Sequence, residues 1–314
     1  MTPAMLPMRD TLPIVIDCDP GIDDALALLL AAASPELQLL AVTCVAGNRP
    51  VAITAANACR ILDAAGRSDV PVYAGNARPI AQAQPRCNLV HGEDGLGGIS
   101  LVGERKPADG HAVDHLDTLL MAHAPGSVTV VAMGPLTNLA LAEIRRPGLL
   151  RRARAVVVMG GAAFCPGNVR LTADFNFYAD PVAAHVVLAA GAALTLFGLD
   201  VTSKAVMSPE WIASFAALGT RCGAATHGML KAYAALDPLL HDACPVAYLL
   251  QPDLFGGQRC AVSVDWREGP TEGQLLAWPA EHADRPFAAN AEVMTELDCA
   301  RLLTLVRERI ARLP

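Results

Sequence analysis

Short β-branched runs alternate with alanine- and leucine-rich runs along the first two thirds of the chain. The β-branched runs have the length of strands, and the apolar positions between them recur with helical periodicity. The predicted strands are residues 14–16, 39–45, 128–133, 155–159 and 194–199, and the predicted helices are residues 23–33, 51–65, 136–145 and 181–190. Strand, helix and strand in repetition predict an α/β fold with a mostly parallel, Rossmann-like central sheet flanked by helices.

The pattern changes from Arg259 to the C-terminus. The predicted elements there are short strands at residues 260–265 and 274–278 and a closing helix near residues 293–311. No linker rich in proline, glycine or serine divides the chain. We therefore expect one domain over residues 1–314, with residues 1–11 as an irregular N-terminal extension.

Two connections, residues 73–107 and 160–174, are rich in glycine or proline and longer than most loops. Long loops in a compact domain tend to carry function, because a rigid scaffold positions them while their sequence stays free to vary. We expect functional residues in both loops.

Composition narrows the class of protein. Hydrophobic residues make up 53 % of the chain and charged residues 18 %, which is typical of a globular protein with an apolar interior. The formal net charge of −7 argues against a nucleic-acid partner, because a phosphate backbone favours excess Lys and Arg. The nine cysteines form no C-x-x-C pair, which favours a reducing, cytoplasmic location. No apolar stretch reaches the roughly 18 residues of a membrane span, so no membrane partner is expected.

Four carboxylates, Asp17, Asp19, Asp23 and Asp24, stand between the first predicted strand and the first predicted helix. Asp17 and Asp19 point the same way because side chains alternate along a strand. Asp23 and Asp24 begin the helix, whose N-terminus favours negative charge. A solvated helix cap would need only one carboxylate. The cluster instead predicts a Ca²⁺ or Mg²⁺ site, since these cations prefer oxygen ligands and since ligands bind at the carboxyl ends of parallel strands.

The segment "DCDPGIDDALAL" resembles the D-x-D-P-G-x-D-D signature of the calcium-dependent nucleoside hydrolases. Further similar segments follow in the family's order: "AVTCVAGN" ending at Asn48, "VHGEDGLGG" from Val90, "VAMGPLTNLA" from Val131, "VVVMGGA" from Val156, "GNVRLTADFNFYADPVAA" from Gly167 and "LHDACPVAYLLQP" from Leu240. The resemblance covers roughly residues 12–312. It implies hydrolysis of the N-glycosidic bond of ribonucleosides to ribose and free base, with Ca²⁺ as cofactor.

The resemblance also implies a set of site residues. The calcium ligands would be Asp19, Asp24, Asp242 and the backbone carbonyl of Met133, with Asp17 supporting the cluster from behind. The substrate contacts would be Asp23, Asn48, His91, Met159, Asn168, Asp174, Asn176 and Tyr233. A calcium-bound water would be activated by Asp19 as general base.

Protonation of the leaving base is expected from His241, because the pKa of histidine suits proton transfer near neutral pH. A histidine before the calcium aspartate resembles the inosine–uridine or pyrimidine-preferring branch of the family. Aromatic residues make up only 4 % of the chain, so a tryptophan-lined purine pocket is not expected. The resemblance further implies nucleoside salvage and a homodimer or homotetramer.

Two other functions stay open on the residues alone. A D-x-D pair after the first strand also occurs in Mg²⁺-dependent phosphatases of the haloacid-dehalogenase type, although no phosphate-binding Lys is obvious and Asp23 and Asp24 would be unexplained. Asp174 stands where the family usually has glutamate, and this departure leaves room for a non-catalytic nucleoside- or calcium-binding protein of the same fold.

Overall fold

The computed structural model describes residues 11–314, in which nine strands join in one sheet. The strands are β1 (Leu12–Cys18), β2 (Leu37–Cys44), β3 (Val72–Ala74), β4 (Thr129–Ala132), β5 (Ala155–Met159), β6 (Leu194–Phe197), β7 (Phe255–Val264), β8 (Leu275–Pro279) and β9 (Ala291–Leu297). Their order across the sheet is β3-β2-β1-β4-β5-β6-β9-β7-β8. The first six strands and β9 run parallel, whereas β7 runs antiparallel to both of its neighbours.

Helices cover both faces of the sheet. They are α1 (Ile22–Ala32), α2 (Val51–Ala64), α3 (Ala112–Ala122), α4 (Thr137–Arg145), α5 (Phe175–Ala179), α6 (Pro181–Ala189), α7 (Leu199–Thr202), α8 (Pro209–Ser214), α9 (Arg221–Tyr233), α10 (Ala243–Leu250) and α11 (Cys299–Ile310). In β1, Ile14 and Ile16 enter the core beneath α1, α2 and α10, and Val15 enters the opposite core beneath α3, α4 and α6. Alternate residues of one strand thus fill two cores, which explains why the strands read as continuous apolar runs.

The predicted α/β fold with a mostly parallel sheet is confirmed, but the closing helix was assigned too early. The first part of the predicted segment 293–311 is β9, which lies between β6 and β7. The helix α11 begins at Cys299, after Asp298 accepts a hydrogen bond from the backbone N–H of Arg301 at 3.1 Å. Sheet pairing on both sides of β9 outweighs the helical pattern of its sequence.

Several short elements escaped prediction. β3 has three residues and opens the segment expected as a loop at 73–107. The helices α7 to α10 lie between β6 and β7, where no element was assigned. Of the predicted N-terminal extension, residues 1–10 lie outside the described residues. No helix in the described part of the chain is long and apolar enough to cross a membrane.

The parallel strands place their carboxyl ends at one edge of the sheet. β1 ends at Cys18, β2 at Cys44, β4 at Ala132 and β5 at Met159, and polar loops follow each of these ends. Open α/β sheets bind ligands at this edge. The predicted acidic cluster and the two long predicted loops meet there.

Candidate active site

Three carboxylates from distant parts of the chain converge at this edge. One oxygen each of Asp23, Asp24 and Asp242 lies within 4.8 Å of the others, and all three residues are buried. Asp24 lies in the first turn of α1, where one of its oxygens accepts a hydrogen bond from the backbone N–H of Gly21 at 2.9 Å. Asp242 precedes the first residue of α10. Two helix N-termini therefore face the cluster and offset part of its negative charge.

Asp19 lies beside Asp24 but outside the group of three whose oxygens converge. Its Oδ2 accepts a hydrogen bond from the backbone N–H of Asn48 at 2.6 Å, and its own N–H donates to Asp24 Oδ1 at 3.3 Å. The carboxylate also packs against two glycines. A Cβ at Gly47 would lie 2.1 Å from Asp19 Oδ2, and a Cβ at Gly134 would lie 2.5 Å from Oδ1. No side chain fits at either position, so both glycines are needed to seat the carboxylate.

Burial makes the ionised form of the cluster costly. Burial, with the charge of Asp23 added, raises the pKa of Asp24 to about 7. The pKa values of Asp19 and Asp242 are also raised, first by burial and then by the neighbouring carboxylates. Buried charges need compensation. A bound cation would supply it, and a donor set made only of oxygen atoms fits a hard metal ion.

Asp17 lies behind the cluster. Its Oδ2 accepts hydrogen bonds from Thr43 Oγ1 at 2.6 Å and from Asn138 Nδ2 at 2.8 Å. Its Oδ1 is buried and has no hydrogen-bond partner among the residues that the structure describes. Burial raises the pKa of Asp17 to about 7 despite these two donors. Asp17 thus adds a second layer of carboxylate behind Asp19.

Asn176 and Asp174 lie at the same edge of the sheet as the acidic cluster. Asn176 Nδ2 donates to the carbonyl oxygens of Met133 at 2.6 Å and Met159 at 3.1 Å, which ties the ends of β4 and β5 together. Asp174 caps α5, since its Oδ1 accepts from the N–H of Gly161 at 2.7 Å and its Oδ2 from the N–H of Asn176 at 2.9 Å. Aspartate is a preferred helix cap. Its position as the N-cap of α5 is one that an aspartate side chain suits.

His241 lies against two polar partners. Its Nδ1 is 2.8 Å from Thr202 Oγ1, and its Nε2 donates to Asp237 Oδ2 at 3.3 Å. Burial lowers the pKa of His241, but the hydrogen bond and charge of Asp237 outweigh burial and leave the pKa above its ordinary value. Asp237 therefore stabilises the imidazolium form, which is the form that can give a proton to a departing base.

These groups surround one cavity. The predicted site residues that line it are Asp23, Asn48, His91, Met133, Met159, Asn168, Asp174, Asn176, Tyr233, His241 and Asp242. The other predicted residues, Asp17, Asp19 and Asp24, are not among the residues that line it. Neither Lys nor Arg lines the cavity within residues 11–314. A phosphate would lack its usual partners there, which argues against the phosphatase alternative.

Comparison with known proteins gives the family. The sequence matches the profile described as inosine-uridine preferring nucleoside hydrolase over residues 14–304. The chain belongs to this nucleoside hydrolase family. The predicted family is confirmed, and so is the prediction of an enzyme that cleaves N-glycosyl bonds.

Individual relatives span nearly the whole chain. A pyrimidine-specific ribonucleoside hydrolase of Photobacterium profundum is 38 % identical over 95 % of this chain and 98 % of that protein. An inosine-uridine preferring nucleoside hydrolase of Leishmania major is 35 % identical over 96 % of this chain and 98 % of that protein. The solved structure of a purine-preferring ribonucleoside hydrolase from Gardnerella vaginalis matches with a TM-score of 0.88 at 29 % identity, over 95 % of this chain and 98 % of that one. Relatives of similar identity thus carry different base preferences in their names.

In this nucleoside hydrolase, His91 and Tyr233 form one side of the cavity. Their rings stack with centroids 5.1 Å apart and an interplanar angle of 17°. His91 Nδ1 accepts a hydrogen bond from the N–H of Ile22 at 3.1 Å, so the proton of the neutral ring is on Nε2. Burial lowers the pKa of His91 and favours this neutral form. Tyr233 Oη donates to Asp23 Oδ2 at 3.5 Å, and His91 Nδ1 lies 3.7 Å from Asp23 Oδ1, so both rings lie against the acidic cluster.

Four further residues of the nucleoside hydrolase line the cavity without having been predicted: Asn88, Val90, Phe175 and Asp237. Asp237 precedes His241 by four positions in a segment with no motif, and only its contact with the histidine reveals its importance. Asn88 and Val90 precede His91 in the long loop after β3, where His91 was the only residue predicted to contact the substrate. Phe175 follows the capping Asp174.

Proposed function

We propose that this chain hydrolyses the N-glycosidic bond of ribonucleosides to ribose and free base, with Ca²⁺ as cofactor. The observation that carries the proposal is one cavity that brings a buried carboxylate cluster together with several asparagines and that neither Lys nor Arg lines within residues 11–314. Amides both donate to and accept from hydroxyl groups, and a sugar has several of these. The carboxylates suit the cation that would hold the sugar.

The proposed cation ligands are Asp19, Asp24, Asp242 and the carbonyl oxygen of Met133, with Asp17 behind them. The Met133 carbonyl already accepts from Asn176, and its second lone pair remains for another partner. When bound, Ca²⁺ supplies Lewis acidity and a fixed anchor for the ribose diol and the attacking water. The convergence of Asp23 with Asp24 and Asp242 places Asp23 at the same point, where we propose that it binds a ribose hydroxyl.

Asp19 is the proposed general base. Burial and the surrounding carboxylates raise its pKa in the metal-free protein, and a carboxylate beside the bound cation is placed to take a proton from water. The N–H of Asn48 and the two flanking glycines hold its carboxylate in one orientation. A fixed base next to the site of attack lowers the entropic cost of the reaction.

The ribose contacts are proposed to come from Asn48, Asn168, Asn176 and Met159, which line the cavity together with the acidic cluster. Asn48 Nδ2 donates to Asp24 Oδ2 at 3.2 Å, and Asn176 Nδ2 donates to the carbonyl oxygens of Met133 and Met159. The oxygens of Asp174 already accept three backbone N–H groups, so we assign it the role of holding Asn176 and Gly161 in place.

Uridine and inosine are the proposed preferred substrates, with cytidine next. His241, supported by Asp237, is proposed to protonate the departing base, and His91 and Tyr233 are proposed to contact it. Nucleoside salvage, a cytoplasmic location and a homodimer or homotetramer remain predictions from the sequence.

The proposal is tested by measuring release of free base from uridine, cytidine, inosine, adenosine and 2′-deoxyuridine. We expect the ribonucleosides to be cleaved in the presence of Ca²⁺, with uridine and inosine leading. We expect 2′-deoxyuridine to resist cleavage, because it lacks one of the two hydroxyls of the diol. Equal rates for uridine and 2′-deoxyuridine would contradict the proposed diol contact, and no cleavage of any ribonucleoside would contradict the function itself.

The role of His241 gives a second prediction. A His241→Ala variant is expected to cleave uridine about 10²-fold more slowly, the lower end of the effect of a general acid. The same variant should cleave p-nitrophenyl β-D-ribofuranoside at nearly the wild-type rate, because that leaving group departs as a stable anion and needs no proton. The measurement is kcat on both substrates. Equal losses on both would show that His241 holds the site together rather than protonating the base.

A further inference from the structure

A tyrosine beside the cavity is contacted by two arginines from different loops. The Cζ atom of Arg86 lies over the ring of Tyr178 at 3.9 Å from its centroid, and that of Arg170 lies over the same ring at 4.7 Å. Arg170 also donates to the hydroxyl of Tyr178, and Arg86 donates to its backbone carbonyl. A guanidinium over an aromatic face is a cation–π contact. We call these three residues the Arg–Tyr–Arg stack.

A buried carboxylate fixes one end of the stack. Arg86 Nη2 lies 2.9 and 3.0 Å from the two oxygens of Glu272, which is only 6 % exposed. Gln82 Nε2 also donates to Glu272 at 3.2 Å. Glu272 follows β7, so the contact ties the loop after β3 to the turn between β7 and β8. Loss of Arg86 would leave the buried carboxylate of Glu272 without its charged partner, which is unfavourable.

Each member of the stack stands two positions from an asparagine that lines the cavity. Arg86 precedes Asn88, Arg170 follows Asn168, and Tyr178 follows Asn176. The three asparagines come from three separate segments: the loop after β3, the loop after β5 and the helix α5. Of the contacts just described, those of the Arg–Tyr–Arg stack are the ones that join all three segments.

We propose that the Arg–Tyr–Arg stack positions Asn88, Asn168 and Asn176 for substrate binding. This inference rests on the proposed function and deepens it, because it names positioning residues for the same cavity. The stack acts through the asparagines and does not itself line the cavity. Without it, the two loops would have to be ordered when the substrate binds, and the cost of that ordering would raise KM.

Loss of the Arg–Tyr–Arg stack should leave the chemical step nearly unchanged. The acidic cluster is held by α1 and α10, and Asp19 is held by Asn48 and two glycines. Arg86, Arg170, Tyr178 and Glu272 make none of those contacts. Loss of the stack should therefore change KM far more than kcat. A residue that merely supports the fold would instead lower stability without this split.

The test compares Tyr178→Leu and Arg86→Met with Tyr178→Phe, which keeps the ring, and with Arg146→Met as a matched control. Arg146 is an exposed arginine paired with Asp117 at the end of α4 that lies away from the cavity. KM and kcat are measured on the nucleoside that wild type cleaves best, and circular dichroism checks folding. Hydrogen–deuterium exchange is followed by mass spectrometry over residues 81–92 and 163–172.

We expect Tyr178→Leu and Arg86→Met to raise KM about tenfold, the factor that ordering of one immobilised side chain can account for. Their kcat should stay close to wild type, Tyr178→Phe should keep most of the wild-type KM, and deuterium uptake should rise in both segments. An unchanged KM in both folded variants, or a fall in kcat alone, would overturn the inference. If wild type cleaves no nucleoside, the proposed function fails. The positioning role is then tested by deuterium uptake alone, and uptake in either segment of the variants that equals that of wild type would overturn it.

Discussion

An Asp19→Asn variant is expected to lose turnover of its best nucleoside by about 10²–10⁴-fold, the usual contribution of a general base. Asparagine keeps the shape of the side chain and can still accept the hydrogen bond from the N–H of Asn48. It loses the negative charge and the ability to take a proton. The measurement is kcat/KM of the variant relative to wild type at saturating Ca²⁺.

The same variant should be more stable than wild type when the metal is removed. Burial and the neighbouring carboxylates raise the pKa of Asp19, so its ionised form destabilises the metal-free protein. Asp253→Asn is the matched control, since Asp253 is 69 % exposed and pairs with Arg301 on the surface. A folded Asp19→Asn variant with wild-type turnover would exclude Asp19 as the base. Reduced stability in the metal-free state would instead indicate a structural role.

Removal of the metal by a chelator is expected to abolish turnover, and the stabilisation by Ca²⁺ should grow as the pH rises from about 5 to about 8. Burial raises the pKa of Asp24 to about 7, well above its value in an unfolded chain. Folding therefore favours the protonated carboxyl, and the metal-free protein should lose stability as the pH rises from about 4 to about 7. Ca²⁺ binds only the ionised carboxylates, so its effect should be small at low pH and largest above the folded-state pKa.

The measurement is the melting temperature with Ca²⁺ and with chelator across this pH range. At a Ca²⁺ concentration one hundred times its Kd, the free energy of unfolding should increase by about 2.7 kcal/mol. Asp242→Asn should remove most of the gain, whereas Asp253→Asn should not. Turnover that survives chelation, or a calcium effect that is the same at every pH, would contradict a metal site built on these carboxylates.

Structural features that depend on residues close together in the chain could be predicted from the sequence. The segment from Asp17 to Asp24 combines a buried strand end with a helix start, so both the position and the crowding of its carboxylates follow from the chain itself. The parallel sheet follows from the alternation of elements. The cap formed by Asp174 was also visible in principle, because aspartate before a short helical run is a common N-cap.

What the sequence could not predict depends on distant contacts. Part of β9 was assigned to a helix, because its pairing with β6 and β7 is a long-range contact that its own residues do not predict. Asp237 becomes meaningful only through its contact with His241. The Arg–Tyr–Arg stack joins positions 86, 170 and 178, and no periodicity connects them. Contacts between loops that are distant in sequence cannot be predicted from either loop alone, because they form only in the folded protein.

The acidic cluster also has a bearing on how the chain reaches its folded state. Asp23 and Asp24 belong to α1, whereas Asp242 directly precedes α10, so these carboxylates lie far apart along the chain. Contacts of such long sequence separation form late in folding. A cation bound there would stabilise the fully folded state, because its binding free energy would add to the free energy of folding. The supply of ions during synthesis would then influence the yield of folded chain as well as the rate of turnover.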